Sequence, residues 1–344
     1  LPESSQALLK QYGQQKGLDC AAATLDIPAY LAIMTYADDR LLRENMYKAY
    51  TTRASELGEK TDFDNSTIMA EILALREQQA QLLGFDTYAE LSLARKMAPD
   101  VQTVRDFLID LAHKAKAPAQ KELAEIQQFA AKDGIDELQP WDTAYYAEKL
   151  KQQNFNLSQE ALKPYFPIHQ VVSGLFSIAE KLYGINIVEK HADVWHPDTK
   201  YYEIEEHNEV IGGFYFDLYA RENKRGGAWM SGFRSRVLQD SYLQKPVAFM
   251  VGNFAPPVGD QPALLTHDEI ITLFHEFGHG LHHILTEADH IGVAGTHAVA
   301  WDAVELPSQF MEFWAWEEQG LALISSHIQT GVPLAKDLLD ALFA

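Results

Sequence analysis

The segment LLTHDEIITLFHEFGHGLHHIL, residues 264–285, limits the fold more than any other part of the chain. Thr266 followed three residues later by Glu269 forms a capping box, and Asp268 and Glu269 put negative charge where a helix dipole favours it. A helix is therefore predicted to start at Thr266. Its apolar residues (Ile270, Ile271, Leu273, Phe274, Phe277, Leu281, Ile284 and Leu285) leave little of its surface polar, so the helix must be largely buried. His275, Glu276 and His279 lie among them, and burying such groups is costly unless partners are supplied.

A metal ion supplies those partners. His275 and His279 are four residues apart and project from one helix face, so two imidazole nitrogens can reach one tetrahedral zinc. Glu276 is rotated by about 100° around the helix and can approach an attacking water without being a ligand. It is the expected general base. Gly278 and Gly280 are poor helix formers that allow a backbone or a substrate to come close. The competing reading is an ordinary helix whose histidines pair with nearby acids. Four residues beyond His279, His283 is expected to be a surface or supporting residue rather than a ligand.

A third ligand is expected downstream, in GTHAVAWDAVELPSQFMEFWAWEEQ. Glu305 is the favoured choice, with His297, Asp302 and Glu312 as alternatives. Asp302, three residues earlier on the same helical face, is expected to orient a ligand histidine through its free ring N–H. Pro307 predicts a distortion or a helix start beside Glu305.

Away from this motif, apolar residues recur at helical spacing from Pro2 to about Leu162, as in Ile68, Ile72 and Leu75 and then Leu82 and Leu91. Breaks are expected at residues 58–65, 84–86 and 133–134, and a further helix at residues 168–183. Between residues 185 and 253, INIVEKHADVWHP, KYYEIE, VIGGFYFDLYAR and PVAFMVGNF are rich in Val, Ile, Tyr and Phe. They predict a small sheet of three to five strands. The order helices, compact sheet, helices defines a mainly α protein with the sheet beside the histidine helix.

Lys and Arg number 28 against 49 Asp and Glu, and a formal net charge of -21 would repel a phosphate backbone. Nucleic acid is not an expected partner. No apolar run approaches the roughly 20 residues that span a bilayer, and residues 1–5 are not a basic leader. A membrane role is not expected either. Cys20 is the single cysteine, which rules out an internal disulfide and fits a reducing compartment, so the expected location is cytoplasmic. The chain begins with Leu1 and ends inside a helical pattern without a stop signal, so both ends are expected to be cut.

The chain resembles the thimet oligopeptidase family of zinc peptidases. The resemblance is carried by FHEFGHGLHHIL (274–285), WDAVELPSQFMEFWAWE (301–317), YFDLYARENKRGGAWM (215–230), VWHPDTKYYE (194–203), KPYFP (163–167) and LDIPAYLAIMTYADD (25–39). It implies a multi-helical, zincin-type peptidase that hydrolyses short unstructured peptides with one Zn2+ per chain. The glutamate of the matching E-x-P-S-Q stretch falls on Glu305. Residues 1–165 would form a helical channel wall. Residues 166–344 would form the catalytic region, with its sheet at about 185–253 and its zinc helices at about 266–318.

The peptide backbone would pair with an edge strand at Gly226, Gly227 and Ala228. On the residues alone, a simple glycine turn between two strands is an equal reading. The resemblance also implies that parts of the family fold are absent before Leu1 and after Ala344, among them a histidine and tyrosines that stabilise the tetrahedral intermediate. This chain is therefore expected to be a central portion that turns peptides over slowly. The alternative is a catalytically incompetent fragment that still binds zinc or peptide.

Overall fold

The computed structural model describes residues 1–58, 61–155 and 158–343. Among the described residues nine α-helices precede the strands: α1 (Glu3–Gln15), α2 (Ile27–Tyr36), α3 (Arg40–Thr51), α4 (Ser66–Leu82), α5 (Tyr88–Leu93), α6 (Val101–Ala131), α7 (Pro140–Phe155), α8 (Gln159–Leu162) and α9 (Ile168–Tyr183). The strands follow as β1 (Asn186–Lys190), β2 (Lys200–Glu206), β3 (Glu209–Tyr219), β4 (Trp229–Arg234), β5 (Val237–Gln239), β6 (Tyr242–Gln244) and β7 (Val247–Phe254). Then come α10 (His267–Ile284), α11 (Leu306–Glu312), α12 (Glu318–Ile324) and α13 (Lys336–Phe343). Among the described residues no helix is long and apolar enough to cross a membrane. The mainly α organisation with one small sheet agrees with the sequence reading.

Two compact units divide the chain: residues 30–150 with Leu1 and 300–302, and residues 2–29, 151–299 and 303–344. The sequence reading put its boundary at 165. The difference arises because Leu162 is fully buried in the core of the second unit and Ser4 Oγ donates to Glu160 at 2.6 Å, which draws α1 and α8 into it.

In the first unit, Arg43 of α3 is 1% exposed and, with Arg40, ties α3 to Asp142 of α7. Its guanidinium donates to Asp142 at 2.9 Å, Trp141 O at 3.0 Å and Ala37 O at 2.6 Å, and lies over the Tyr145 ring. Ile68, Ile72, Leu75 and Leu82 are exposed. Helical spacing there predicted the helix correctly but not its burial, because an apolar stripe specifies a period and not the surface that covers it.

In the second unit the main sheet has the order β1-β2-β3-β7-β4, all antiparallel except β3 with β7, and β5 and β6 form a separate pair. Among the described residues the main sheet has five strands, within the expected three to five, and the short β5–β6 pair stands apart from it. Alternate residues Tyr202, Ile204, Phe214, Phe216, Ala248 and Met250 are buried on one sheet face. They share a core with Val171, Leu175 and Ile178 of α9 and with Ile270, Leu273, Phe274 and Phe277 of α10. β4 lies at one edge of this sheet.

Asp217, near the end of β3, is buried and accepts from Arg221, Lys224 and Trp195. Burial pushes its pKa up, but the hydrogen bonds from Arg221, Lys224 and Trp195 and the charge of Lys224 outweigh burial, holding the carboxyl well below its usual range. A depressed folded-state pKa gives stability that is present above the unfolded value of about 3.9 and is lost as pH falls through the folded one. Asp217→Asn is expected to cost about 3 kcal/mol at pH 7 in urea unfolding. The gap to the unsubstituted protein should narrow progressively as pH falls below about 4; a gap independent of pH would contradict this account.

Candidate metal centre

α10 begins where its capping box requires, with Thr266 Oγ1 accepting from the Glu269 N–H and the Glu269 carboxylate accepting from the Thr266 N–H. Ile270, Leu273, Phe274, Phe277, Leu281 and Ile284 are buried along it. His275 and His279 emerge one turn apart, with side chains 27% and 13% exposed.

A close helix crossing brings the third group to them. A Cβ on Gly278 would lie 2.6 Å from Pro307 O and from Ser308 Cα, and one on Gly280 would collide with the Met250 side chain. The absence of side chains there lets α11 and β7 press against α10. Pro307 stands in the first turn of α11 and Glu305 is the residue that caps it. Gly278→Ala should therefore force α11 away, lowering stability by about 2 kcal/mol and weakening metal uptake. Unchanged zinc affinity in calorimetry would show that the crossing does not set the site.

Glu305 Oε2 lies 3.2 Å from His275 Nε2 and 3.0 Å from His279 Nε2. One donor atom from each of the three residues falls within 4.8 Å of the others, a group able to hold a metal ion. Tetrahedral sites with bonds near 2.1 Å place their donors about 3.4 Å apart, so the arrangement needs little adjustment. Ser308 Oγ donates to Glu305 Oε2 at 3.0 Å and to Glu305 O at 2.9 Å, fixing the carboxylate. His275 Nδ1 lies 2.6 Å from Glu312 Oε1. If Nδ1 donates to that carboxylate, neutral His275 presents an unprotonated Nε2 to Glu305. Two lone-pair atoms facing each other at 3.2 Å repel unless a cation lies between them. The donor set thus fits a metal such as zinc.

Burial depresses the pKa of His279 despite the nearby Glu305 carboxylate, favouring the neutral imidazole that a metal requires. Glu276 is half-buried, and burial pushes its carboxyl above the usual range, with Glu305 adding to the rise. The hydrogen bond from the Met230 N–H pulls it back down, as would a positive charge at His275. Its side chain borders a small apolar void shared with Leu218, Ala228, Met250, Val251, Gly252, Phe254 and Leu273.

The other sequence candidates occupy different positions. Residues 301–305 form turns and not a helix, so Asp302 and Glu305 do not share a helical face. Asp302 accepts from the Met97 N–H at 3.1 Å, while the hydrogen bond to His275 Nδ1 expected of it is made by Glu312. Seven residues separate Glu305 and Glu312, about two helical turns, and that spacing was the available signal. Ser308 was not anticipated. His297 Nε2 pairs with Ser235 Oγ at 2.9 Å. His283, expected to be a surface or supporting residue, is buried and donates from Nε2 to Arg234 O at 2.8 Å, a supporting position. Gly226, Gly227 and Ala228 lie in the connection leading into β4, just before the edge strand and not within it.

Residues 33–344 match the family model described as Peptidase family M3. The chain belongs to peptidase family M3. It is 56% identical to oligopeptidase A of Escherichia coli over 349 residues, covering 100% of this chain and 51% of that protein. Organellar oligopeptidase A of Arabidopsis thaliana is 41% identical over 362 residues, covering 100% of this chain and 45% of that one. Saccharolysin of Saccharomyces cerevisiae is 34% identical over 336 residues, covering 93% and 46%. This M3 chain spans about half the length of the curated relatives it matches. The resemblance read from the sequence motifs is thereby shown.

Proposed function

We propose that this chain carries the metal site of a zinc-dependent endopeptidase acting on short, unstructured peptides, with His275, His279 and Glu305 holding one Zn2+. The observation that carries the reading is the approach of two imidazole Nε2 atoms to one Glu305 oxygen beside half-buried Glu276, in a member of a peptidase family. When bound, the ion supplies Lewis acidity that lowers the pKa of water toward neutrality and polarises a peptide carbonyl.

The remaining roles belong to the protein. Glu276 takes the proton of the attacking water and passes it to the leaving amine, and its raised pKa brings it closer to the operating pH. Glu312 holds the His275 tautomer, and Ser308 holds the Glu305 carboxylate. The backbone at Gly226, Gly227 and Ala228 receives an extended peptide, which adds to the open edge beside β4.

A second reading is favoured by the half-length coverage of the relatives: the chain holds zinc and peptide without turnover, since turnover also needs donors to a developing oxyanion. A quenched, flexible peptide incubated with the zinc-loaded chain, with and without chelator, separates the two. Hydrolysis that chelator abolishes and zinc restores supports the endopeptidase. Zinc binding with no hydrolysis supports the second reading, and chelator-insensitive hydrolysis contradicts both.

A further inference from the structure

β3 and β4 lie on opposite sides of β7, so the connection 220–228 passes over the end of β7, between the Tyr219–Phe254 pairing and the Trp229–Val251 pairing. Asn253 stands beneath this crossing. Its side-chain amide donates to Arg225 O at 2.8 Å and to Gly227 O at 2.7 Å. The start of the connection is fixed separately, by Lys224 Nζ donating to Asp217 O, Tyr219 O and Asp217 Oδ1. Asn253 thus holds the backbone of the second half.

That half has an open outer face. A Cβ on Gly226 or Gly227 would meet nothing within 4 Å. Gly227 has φ of +95°, which disfavours any side chain, whereas Gly226 has no positive φ. Among the described residues nothing meets a Cβ at 226, so the space beside it is available to an approaching backbone. The connection then runs into Ala228, which borders the same void as Glu276, and into Met230, whose N–H acts on the Glu276 carboxylate.

We propose that Asn253 is a positioning residue that holds the backbone of residues 225–228 in the conformation an extended peptide must meet, and so sets peptide affinity. The inference rests on reading that segment as facing the peptide. Two hydrogen bonds are replaced when the amide is lost, and both carbonyls regain water, so a tenfold change in affinity is the expected scale.

The test measures, by calorimetry, binding of a flexible peptide of about ten residues to the zinc-loaded chain carrying Glu276→Gln, which prevents its hydrolysis. Asn253→Ala and Asn253→Asp, the latter of similar shape but without the N–H donors, should each weaken binding about tenfold. Zinc stoichiometry and thermal midpoint should stay unchanged, and amide exchange should quicken only across residues 225–229. Gly226→Val, which fills the open face, should weaken binding at least as much.

If Gly226→Val weakens binding but both Asn253 variants stay within twofold, the clamp plays no part and the inference fails alone. If no variant changes the affinity, or the parent binds no peptide, the reading of the segment as peptide-facing fails with it. Loss of zinc or a lowered thermal midpoint in the Asn253 variants would also overturn the inference, by making Asn253 a general support of the fold.

Discussion

Glu276→Gln is expected to lower hydrolysis of a flexible peptide about 1000-fold at saturating zinc, while metal content and fold are retained. The amide keeps the size and most of the packing of the carboxyl beside Leu273 and Met250, so the void that they share should persist. It cannot take a proton from water. Single-turnover kinetics and metal analysis on the same preparation check this. Unchanged turnover would assign the base to another residue, and lost zinc would make Glu276 a support of the metal.

His279→Ala should weaken zinc binding by about 100- to 1000-fold, since sites with four protein ligands bind with about 10–16 kcal/mol in total and one ligand contributes on the order of a quarter. Glu312→Gln should weaken it only about tenfold, because in the proposed site its carboxylate meets His275 Nδ1 and is not among the ligands. Competition titration against a chelator of known affinity measures both. Equal losses would place Glu312 among the ligands; a larger loss for Glu312→Gln than for His279→Ala would reverse the assignment.

The parts of this protein legible in its sequence are those fixed by local chemistry. The start of α10 follows from Thr266 and Glu269 alone. The helix at residues 168–183 also falls where the apolar spacing put it, with Gly184 closing it in a left-handed conformation. What escaped depends on contacts distant in sequence. Spacing could not tell whether Asp302 or Glu312 would meet His275, because residues 301–305 form turns and the helix begins only at Leu306. Gly278 was legible as a place of close approach, but its neighbour, the backbone at Pro307 and Ser308, emerges only from the packing. β4 was missed from residue preference because an edge strand with exposed Ser231, Gly232 and Phe233 has no inward alternation to display. Whether His283 lay at the surface or in a supporting position was open from the sequence because its partner, the Arg234 carbonyl, is 49 residues away.

The central claim is that His275, His279 and Glu305 hold a zinc ion beside Glu276, and locating the metal in a crystal tests it most directly. Anomalous diffraction recorded on both sides of the zinc absorption edge, from crystals of the zinc-loaded chain, should show one strong peak per molecule. It should lie about 2.0–2.2 Å from His275 Nε2, His279 Nε2 and an oxygen of Glu305, with Glu312 still on His275 Nδ1 and Glu276 outside the ligand set. A peak elsewhere, a peak missing any of these three ligands, or zinc-loaded crystals with no peak at this site would contradict the account.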